Sequence, residues 1–531
     1  MTSPDSLNQA ISDAYDETPY TSNAFPICAP GHLHAVAHLY GLNAPAPETA
    51  RVLELGCAAG GNLLPFVLAN PGARAVGVDL SPQQIAAGKA MVDAMGLDNL
   101  ELRAMSITDI DASFGKFDYI ICHGVFSWVP PEVREAILRV CRENLSADGI
   151  AYVSYNTYPG WKASDVVRDA MLLNSFAANT PQEKLTRAKE MLSLLENGLW
   201  AGNSMKGALS YAAQQLSKQT DYYLTHEYLE AINSPCYFLE FVAAIQQAGL
   251  AYLTDAEPQA TFPSTFGENV ANHLAVLSVE TTREMREQYL DFAMGRQFRK
   301  SLLVHADRAA AALENPEGTK FADMHFAAKL QSQPSSKPSE RAYQASGGGT
   351  ITTESPALIA ILETFREAWP ASVPYARLAE VVAINTPDMS DEARDSALLN
   401  SLILLIGASA LHYRLAPVPY SANGTKPQLI PGALAILTAI EARTSQVGMH
   451  NLWHQTVNPG TDSLARFVTP RLDGTRSMLE LRTELRDALH AGHVEHPQGR
   501  PVKGVRNLEP VAQELLQAML ASLKNSGLML R

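Results

Sequence analysis

The chain has 531 residues, 46% of them apolar, and that length favours three or four domains over one compact unit. Its formal net charge of -14 works against contact with phosphate backbones, and it suits a basic partner such as a lysine-bearing protein while also serving solubility. No window reaches about eighteen consecutive apolar residues, and the opening MTSPDSLNQAISDAYDE has neither a basic start nor an apolar core, so membrane spanning and export are not expected.

From 51 to 156, apolar runs alternate with helical patterns: RVLELG, NLLPFVLAN, AVGVDL, PQQIAAGKAMVDAMG, NLELRAM, FDYIICH, PEVREAILRVCREN and GIAYVSY. This is the succession of an α/β unit with a parallel sheet. Ser81 followed by Pro82 marks a helix start, since serine caps free backbone N–H groups and proline suits the first helical position. Residues 1–160 thus form one unit. From 161 to 330 the pattern turns helical, with LAYLTD and FRKSLLVH as candidate last antiparallel strands of the same sheet. QSQPSSKPSERAYQASGGGT, residues 331–350, is poor in apolar residues and is expected to be a flexible linker. Three helical stretches and the strand candidate LHYRLAP give 351–420 the order of a winged-helix-like module, and 421–531 is left as a C-terminal domain. The module carries four arginines and no lysine against eight acidic residues, 4 - 8 = -4, so a protein contact is expected there and nucleic acid is not. A chain ending at residue 330 is therefore expected to keep its cofactor site.

The turn VLELGCAAGG is the first chemical signal. A dinucleotide fingerprint places a second glycine where backbone must approach a pyrophosphate, and here that position is Ala58. Glu54, Gly56, Ala58 and Gly60 instead follow the ExGxGxG pattern of nucleotide-dependent methyltransferases with one Gly-to-Ala change. N–H groups at the following helix start are expected to receive a methionine carboxylate. Asp79 lies 79 - 56 = 23 residues after Gly56, at the tip of the second strand, where a carboxylate can accept from ribose hydroxyls; Leu80 follows it. RAMSITDI places Ser106 and Ile107 in a turn suited to an adenine, although Ser106 reads equally well as an ordinary turn serine.

Beyond the fourth and fifth strands stand HGVFSWVPPE, with His123, Phe126 and Trp128, and SYNTYPGWK, with Tyr155, Asn156 and Trp161. YDETPYTSNAFP, at 15–26, is a third aromatic-rich stretch. These rings either pack the sheet edge as lids or wall a channel for the methyl acceptor, and His123 reads more readily as a loop histidine than as a base. A neutral lysine amine costs about 4 to 5 kcal/mol at pH 7 unless burial lowers its pKa, and an aromatic channel does that while attracting the methylated cation. Phe126, Trp128, Tyr155 and Trp161 are the candidate walls. No metal is called for. Cys28, Cys57, Cys122, Cys141 and Cys236 show no CxxC pairing, as suits reduced thiols in a cytoplasm-like compartment.

The opening YDExPYxSxxFP pattern, ELGCAAGGN, CHGVFSWVPP, SYNTYPGW and HEYLEAINSPCYFLEFVAAIQQAGLAYLTDAE occur in one order, and together they resemble the bacterial methyltransferase-regulatory-domain proteins, a group that includes rickettsial protein-lysine methyltransferases. The resemblance spans most of residues 10–310; NLWHQTV and FVTPRLDGTRS are similar to the same group's C-terminal region. It implies a class I, Rossmann-like methyltransferase sheet that uses S-adenosyl-L-methionine, with Glu54, Gly56, Ala58, Gly60 and Asp79 holding the cofactor. His123, Phe126, Trp128, Tyr155, Asn156 and Trp161 would flank the acceptor. Lysine of a protein substrate leads; a small-molecule acceptor and a cofactor-binding scaffold with weak catalysis stand beside it. A homodimer is among the assemblies the sequence allows.

Overall fold

Seven strands gather into one mixed sheet: β1 (Arg51–Leu55), β2 (Arg74–Asp79), β3 (Leu100–Ala104), β4 (Phe117–Cys122), β5 (Leu145–Asn156), β6 (Leu250–Asp255) and β7 (Phe298–His305). Their spatial order is β3-β2-β1-β4-β5-β7-β6; the first five are parallel, and β7 enters antiparallel between β5 and β6. The two late strands read at LAYLTD and FRKSLLVH do complete the sheet. The computed structural model describes residues 21–335, 337–421, 425–458, 460, 462–499 and 507–531, so most of the YDETPYTSNAFP stretch lies outside the described residues.

The sheet is covered on both faces, which is why β1 is buried without interruption from Val52 to Leu55. Side chains alternate between faces along a strand. Val52, Tyr119, Ile121 and Tyr152 face the core shared with α1 (Pro30–Leu39), α2 (Leu64–Ala69) and α3 (Pro82–Met95). Leu53, Leu55, Ile120 and Tyr155 face the opposite core, with α4 (Pro131–Asn144). Ser81 caps α3 as its sequence predicts, its Oγ accepting from Gln84 N at 3.1 Å.

After β5 come α5 (Trp161–Ser175), α6 (Pro181–Asn197), α7 (Lys206–Leu216) and α8 (Asp221–Tyr228), which share a separate apolar cluster that includes Trp161, Met171, Leu192, Leu209 and Tyr228. The chain then returns to the sheet through α9 (Phe238–Gln247), β6, α10 (Glu268–Leu277), α11 (Arg283–Met294) and β7. A buried ion cluster fixes this return. Arg299 on β7 is 0% exposed and bonds both oxygens of Asp291 at 2.8 and 2.9 Å, with Glu287 Oε2 at 3.0 Å. Tyr252 of β6 donates to the same Glu287 oxygen at 2.7 Å, Arg296 meets Asp291 at 2.8 Å, and the Phe238 ring lies 3.6 Å beneath the Arg299 guanidinium. One cation thus ties α9, α11, β6 and β7 together.

The remaining elements are β8 (His325–Ala327), β9 (Leu330–Gln333), β10 (Arg341–Ala345), β11 (Thr350–Thr353), α12 (Pro356–Ala368), β12 (Val373–Pro374), α13 (Tyr375–Asn385), α14 (Asp391–Gly407), β13 (His412–Arg414), α15 (Ala433–Glu441), α16 (Ser463–Val468), α17 (Met478–Ala491) and α18 (Glu509–Asn525). The stretch expected to be a flexible linker is instead an antiparallel meander, β9-β10-β11. Its polar residues face outward, while Tyr343, 0% exposed, and Ala345 point into the core, a one-sided pattern that mean composition conceals. The three helices expected in 351–420 are present, packed with a sheet of order β12-β8-β13. Its middle strand comes from residues 325–327, before the boundary drawn from sequence.

One apolar core runs from α1 through α12–α14 to Leu528 and Met529, so the late elements are packed onto the sheet unit. Among the described residues no helix is long and apolar enough to cross a membrane. Replacing Arg299 with methionine leaves Asp291 and Glu287 buried beside a missing charge and is expected to cost about 3 to 5 kcal/mol. Urea unfolding measures this, and a loss under about 1 kcal/mol would show that the cluster does not hold the return to the sheet.

Candidate functional site

A cavity of about 490 Å³ opens where β1, β2 and β4 end, at the carboxyl edge where open α/β sheets bind ligands. The glycine turn forms its floor. Gly56 leaves β1 at φ +76°, and a Cβ there would meet Val125 Cγ2 at 2.4 Å. Ala58 also holds a left-handed backbone, φ +48°, a conformation that an alanine adopts only under constraint. The constraint is visible: Ala58 N donates to Asp79 Oδ2 at 2.8 Å, while Asp79 Oδ1 accepts from Ser81 N at 2.9 Å.

The remaining donors of the turn are largely taken. Gly56 and Cys57 both donate to Val78 O, and Gly60 donates to Cys57 O. Gly61 N donates to Ser22 Oγ at 2.8 Å, and the helix that follows does not begin until Leu64. The expectation that helix-start N–H groups receive a carboxylate is corrected here, because the turn has folded its own donors inward and lent one to residue 22. A Cβ on Gly61 would fall 2.2 Å from Ser22 O, so this glycine keeps room for that neighbour.

Glu54, 4% exposed, stands at the centre. Burial pushes its carboxyl up to about 8, with the nearby charge of Asp79 adding to the effect and Asn62 opposing it. Asn62 Nδ2 donates to Oε1 at 2.9 Å; Oε2 is buried without a partner. Asn62 Oδ1 in turn accepts from Phe25 N at 3.0 Å and from His454 Nε2 at 2.9 Å. His454 lies 392 residues away in sequence, and burial holds it neutral, with its pKa pushed down to about 3.

Two further contacts bring the same distant segment to the site. Val447 bridges Ser22, and Thr456 Oγ1 both accepts from Ala24 N at 3.0 Å and donates to Ala24 O at 3.1 Å. Residues 447–457 therefore hold residues 22–25 against the turn. A chain ending at residue 330 lacks this support, which reverses the expectation that its cofactor site would stay intact.

Of the residues singled out in sequence, Glu54, Gly56, Ala58, Asp79, Leu80, Ser106, Ile107, His123, Trp128, Asn156 and Trp161 all line the cavity. Gly60 does not; at φ +79° it shapes the turn, and a Cβ would press on Leu102 at 3.2 Å. Ser106 forms a local turn, its Oγ 2.7 Å from Thr108 Oγ1. Phe126 and Tyr155 are corrected as channel walls. Both sit in the core on the α4 and α9 side, Tyr155 sent there by the alternation of β5 and stacked on Phe241 at 4.1 Å, Phe126 brought in by the turn after β4 and edge-on to Phe241 at 5.4 Å. Asn156 Nδ2 donates to Asn233 Oδ1 at 3.0 Å. Burial lowers His123 to about 4, and its Nδ1 lies 2.9 Å from Tyr152 Oη and 3.3 Å from Ser154 Oγ, so it is a neutral, tethered ring.

The other half of the cavity escaped the sequence reading. The end of α8 contributes Tyr223, His226, Glu227 and Tyr228, facing Trp128 and Trp161. Trp161 stacks on Tyr228 at 5.3 Å and stands edge-on to Trp128 at 6.5 Å. Burial, with Glu230 close by, pushes the Glu227 carboxyl up to about 7. Among the described residues no cation pairs with it. Aromatic and acidic residues crowded into DYYLTHEY were the available signal.

The chain matches three family models: a methyltransferase domain over 53–151, a predicted methyltransferase regulatory domain over 220–305, and the PKMT C-terminal winged helix domain over 426–528. The winged helix match thus falls beyond the 351–420 module that sequence order had suggested. An uncharacterized protein of Rickettsia prowazekii, RP789, is 34% identical over 516 residues, covering 94% of this chain and 90% of its own length. A second from the same organism, RP028, is 41% identical over 235 residues, 44% of this chain and 94% of its own. The solved structure of PKMT2 from Rickettsia typhi in complex with AdoHcy superposes with a TM-score of 0.83 at 27% identity, covering 97% of this chain and all of that one.

Thr456→Val keeps the side chain's shape and removes both hydrogen bonds to Ala24. Each is worth about 1 kcal/mol, so AdoHcy affinity is expected to fall about fivefold to thirtyfold, with a modest drop in melting temperature. Calorimetric titration reads the affinity; an unchanged dissociation constant would detach residues 447–457 from the site.

Proposed function

The chain belongs to the bacterial methyltransferases that join a class I domain to a methyltransferase regulatory domain and a PKMT winged helix, and from that premise we propose that it methylates lysine side chains of a protein substrate. S-adenosylmethionine is its cofactor. What carries the lysine assignment is Glu227, a half-buried carboxyl with a pKa near 7, set among Trp128, Trp161 and Tyr228 in the same cavity as the glycine turn. The winged helix family and the PKMT2 likeness support a protein as the bearer of that lysine. Cys28, Cys57, Cys122, Cys141 and Cys236 are all free thiols, and we assign the protein to the cytoplasm, whose reducing poise keeps them so.

The residues present fit the cofactor. Glu54 Oε2, buried without a partner, would accept from the ammonium of the methionine end, and Asp79, at the end of β2, would accept from the ribose hydroxyls. Ser106 and Ile107 would border the adenine. Bound there, S-adenosylmethionine supplies an electrophilic methyl group, and the protein's work is to present an unprotonated amine. A lysine enters as an ammonium, costing about 4 to 5 kcal/mol to neutralise at pH 7. Glu227 first attracts that ammonium and then takes its proton, since a carboxyl titrating near the working pH is matched to the task. The rings of Trp128, Trp161 and Tyr228 exclude water, which favours the neutral amine, and their faces attract the methylated cation. His123, neutral and tethered, gives shape and no charge.

Glu227→Gln is expected to lower kcat/KM for a lysine-bearing protein about 10²- to 10⁴-fold, the range of general base catalysis, with AdoHcy affinity unchanged. In the parent enzyme kcat/KM rises as pH climbs through about 7, where Glu227 ionises, and the variant lacks that inflection. Mass spectrometry after incubation with labelled cofactor and a protein mixture locates the acceptor: label on residues other than lysine, or on free small molecules alone, would refute the proposal.

Glu54 gives a second pH effect. Free, it is protonated below about 8; facing a bound ammonium it is ionised, so binding releases a proton and affinity grows as pH rises from 6 toward 8. Glu54→Gln is expected to weaken binding about ten- to a hundredfold, the worth of one charge-assisted hydrogen bond, and to flatten this dependence. Calorimetry in two buffers of different protonation enthalpy counts the proton; none released by the parent enzyme would remove Glu54 from this role.

A further inference from the structure

A second cavity, of about 380 Å³, is walled by the start of α1, by α2, by β13 and by residues 450–454. His454 lines it and reaches Asn62 in the first cavity. Arg414, at the end of β13, lies along its wall with the guanidinium against Gly31, where an added Cβ would stand 3.6 Å from Nη2. Among the described residues no carboxylate pairs with Arg414 and no group accepts a hydrogen bond from it; its Nε is wholly buried without a partner. The charge of Glu48 reaches it from an exposed position without forming an ion pair, and Glu257, in the same cavity wall, is taken up by Lys300. His450, 2% exposed, also has an Nδ1 with no partner, and the first turn of α1 carries no side-chain cap. Arg414 is half-buried, and a cation drawn out of water is ordinarily paired, because an unpaired one keeps its desolvation cost.

We propose that this cavity binds a small organic monocarboxylate, its carboxylate gripped by the Arg414 fork and its apolar body laid against Tyr413, Trp453 and Ile430. One uncompensated positive charge selects one negative charge, and the planar guanidinium matches a carboxylate in two parallel hydrogen bonds. The surrounding histidines add hydrogen-bonding groups without charge: burial lowers His412 and His450 to about 4 and His454 to about 3. Among the described residues that line the cavity there is no second cation for a phosphate dianion. Mostly apolar walls and a few convergent polar groups, in a volume at the small end for ligand sites, suit a compact acid. The proposal stands apart from methyl transfer and holds whichever acceptor the enzyme uses.

Thermal shift and calorimetry on the full chain test it, with sodium benzoate as the probe, benzamide as its uncharged counterpart and inorganic phosphate at matched ionic strength. Benzoate is expected to raise the melting temperature in a dose-dependent way, with benzamide and phosphate at least tenfold weaker. Arg414→Met is expected to melt no lower than the parent, since it removes an unpaired, half-buried charge, and to lose the benzoate response; Arg414→Lys, which keeps the charge without the fork, retains at most a tenth of the affinity. Equal binding of benzoate and benzamide, no binding of benzoate, preference for phosphate, or an Arg414→Met variant that still responds would each overturn the proposal. An Arg414→Met variant that loses stability would do so too, by marking Arg414 as a structural residue.

Discussion

Burying the carboxyl of Glu54 at the end of β1 is the constraint from which much of this architecture follows. A carboxyl out of water must be hydrogen-bonded, because a buried oxygen left unsatisfied costs about 1 to 3 kcal/mol. Asn62 meets one oxygen from the far end of the glycine turn, and it is held for that purpose by two donors to its own Oδ1, Phe25 N and His454 Nε2. The turn, residues 22–25 and residues 447–457 are therefore parts of one hydrogen-bonded assembly, and Glu54 Oε2 is left as its open valence.

A second assembly faces it. Arg299 binds α11 to β7, and with Phe238 and Tyr252 it fixes α9 and β6 on the sheet. This firm return lets the α5–α8 cluster, with a small core of its own, rest against the sheet edge and present the end of α8 to the cavity. The two halves of the cavity are thus built by different segments around different buried charges. One cluster ties the late strands to the sheet; the other leaves Glu54 Oε2 buried without a partner.

The sheet was legible because its strands are long apolar runs with well-marked helix starts; Ser81 and Pro82 are a local signal that tertiary packing leaves intact. The glycine turn and Asp79 were equally plain, since backbone conformation there demands particular residue types. Phe126 and Tyr155 were not, because an aromatic at a strand end looks the same whether the turn or the strand alternation sends it to the cavity or the core. Glu227 was hidden for another reason: a carboxyl becomes chemically unusual through burial, and nothing in DYYLTHEY states that Trp128 and Trp161 will cover it. The meander at 331–350 was lost because Tyr343 and Ala345 are too few to offset the polar average. Long-range contacts such as Asn62 to His454 leave no local trace at all.

That last contact bears on how the protein is made. Asn62 waits for a partner 392 residues further along, and at about 5 to 20 residues per second the interval between their syntheses is roughly 20 to 80 s. During that time the sheet can form on the ribosome while the turn lacks its buttress and Glu54 lacks a fixed neighbour. The hydrogen-bonded frame around the turn is therefore complete only when the late segment has closed over the early one.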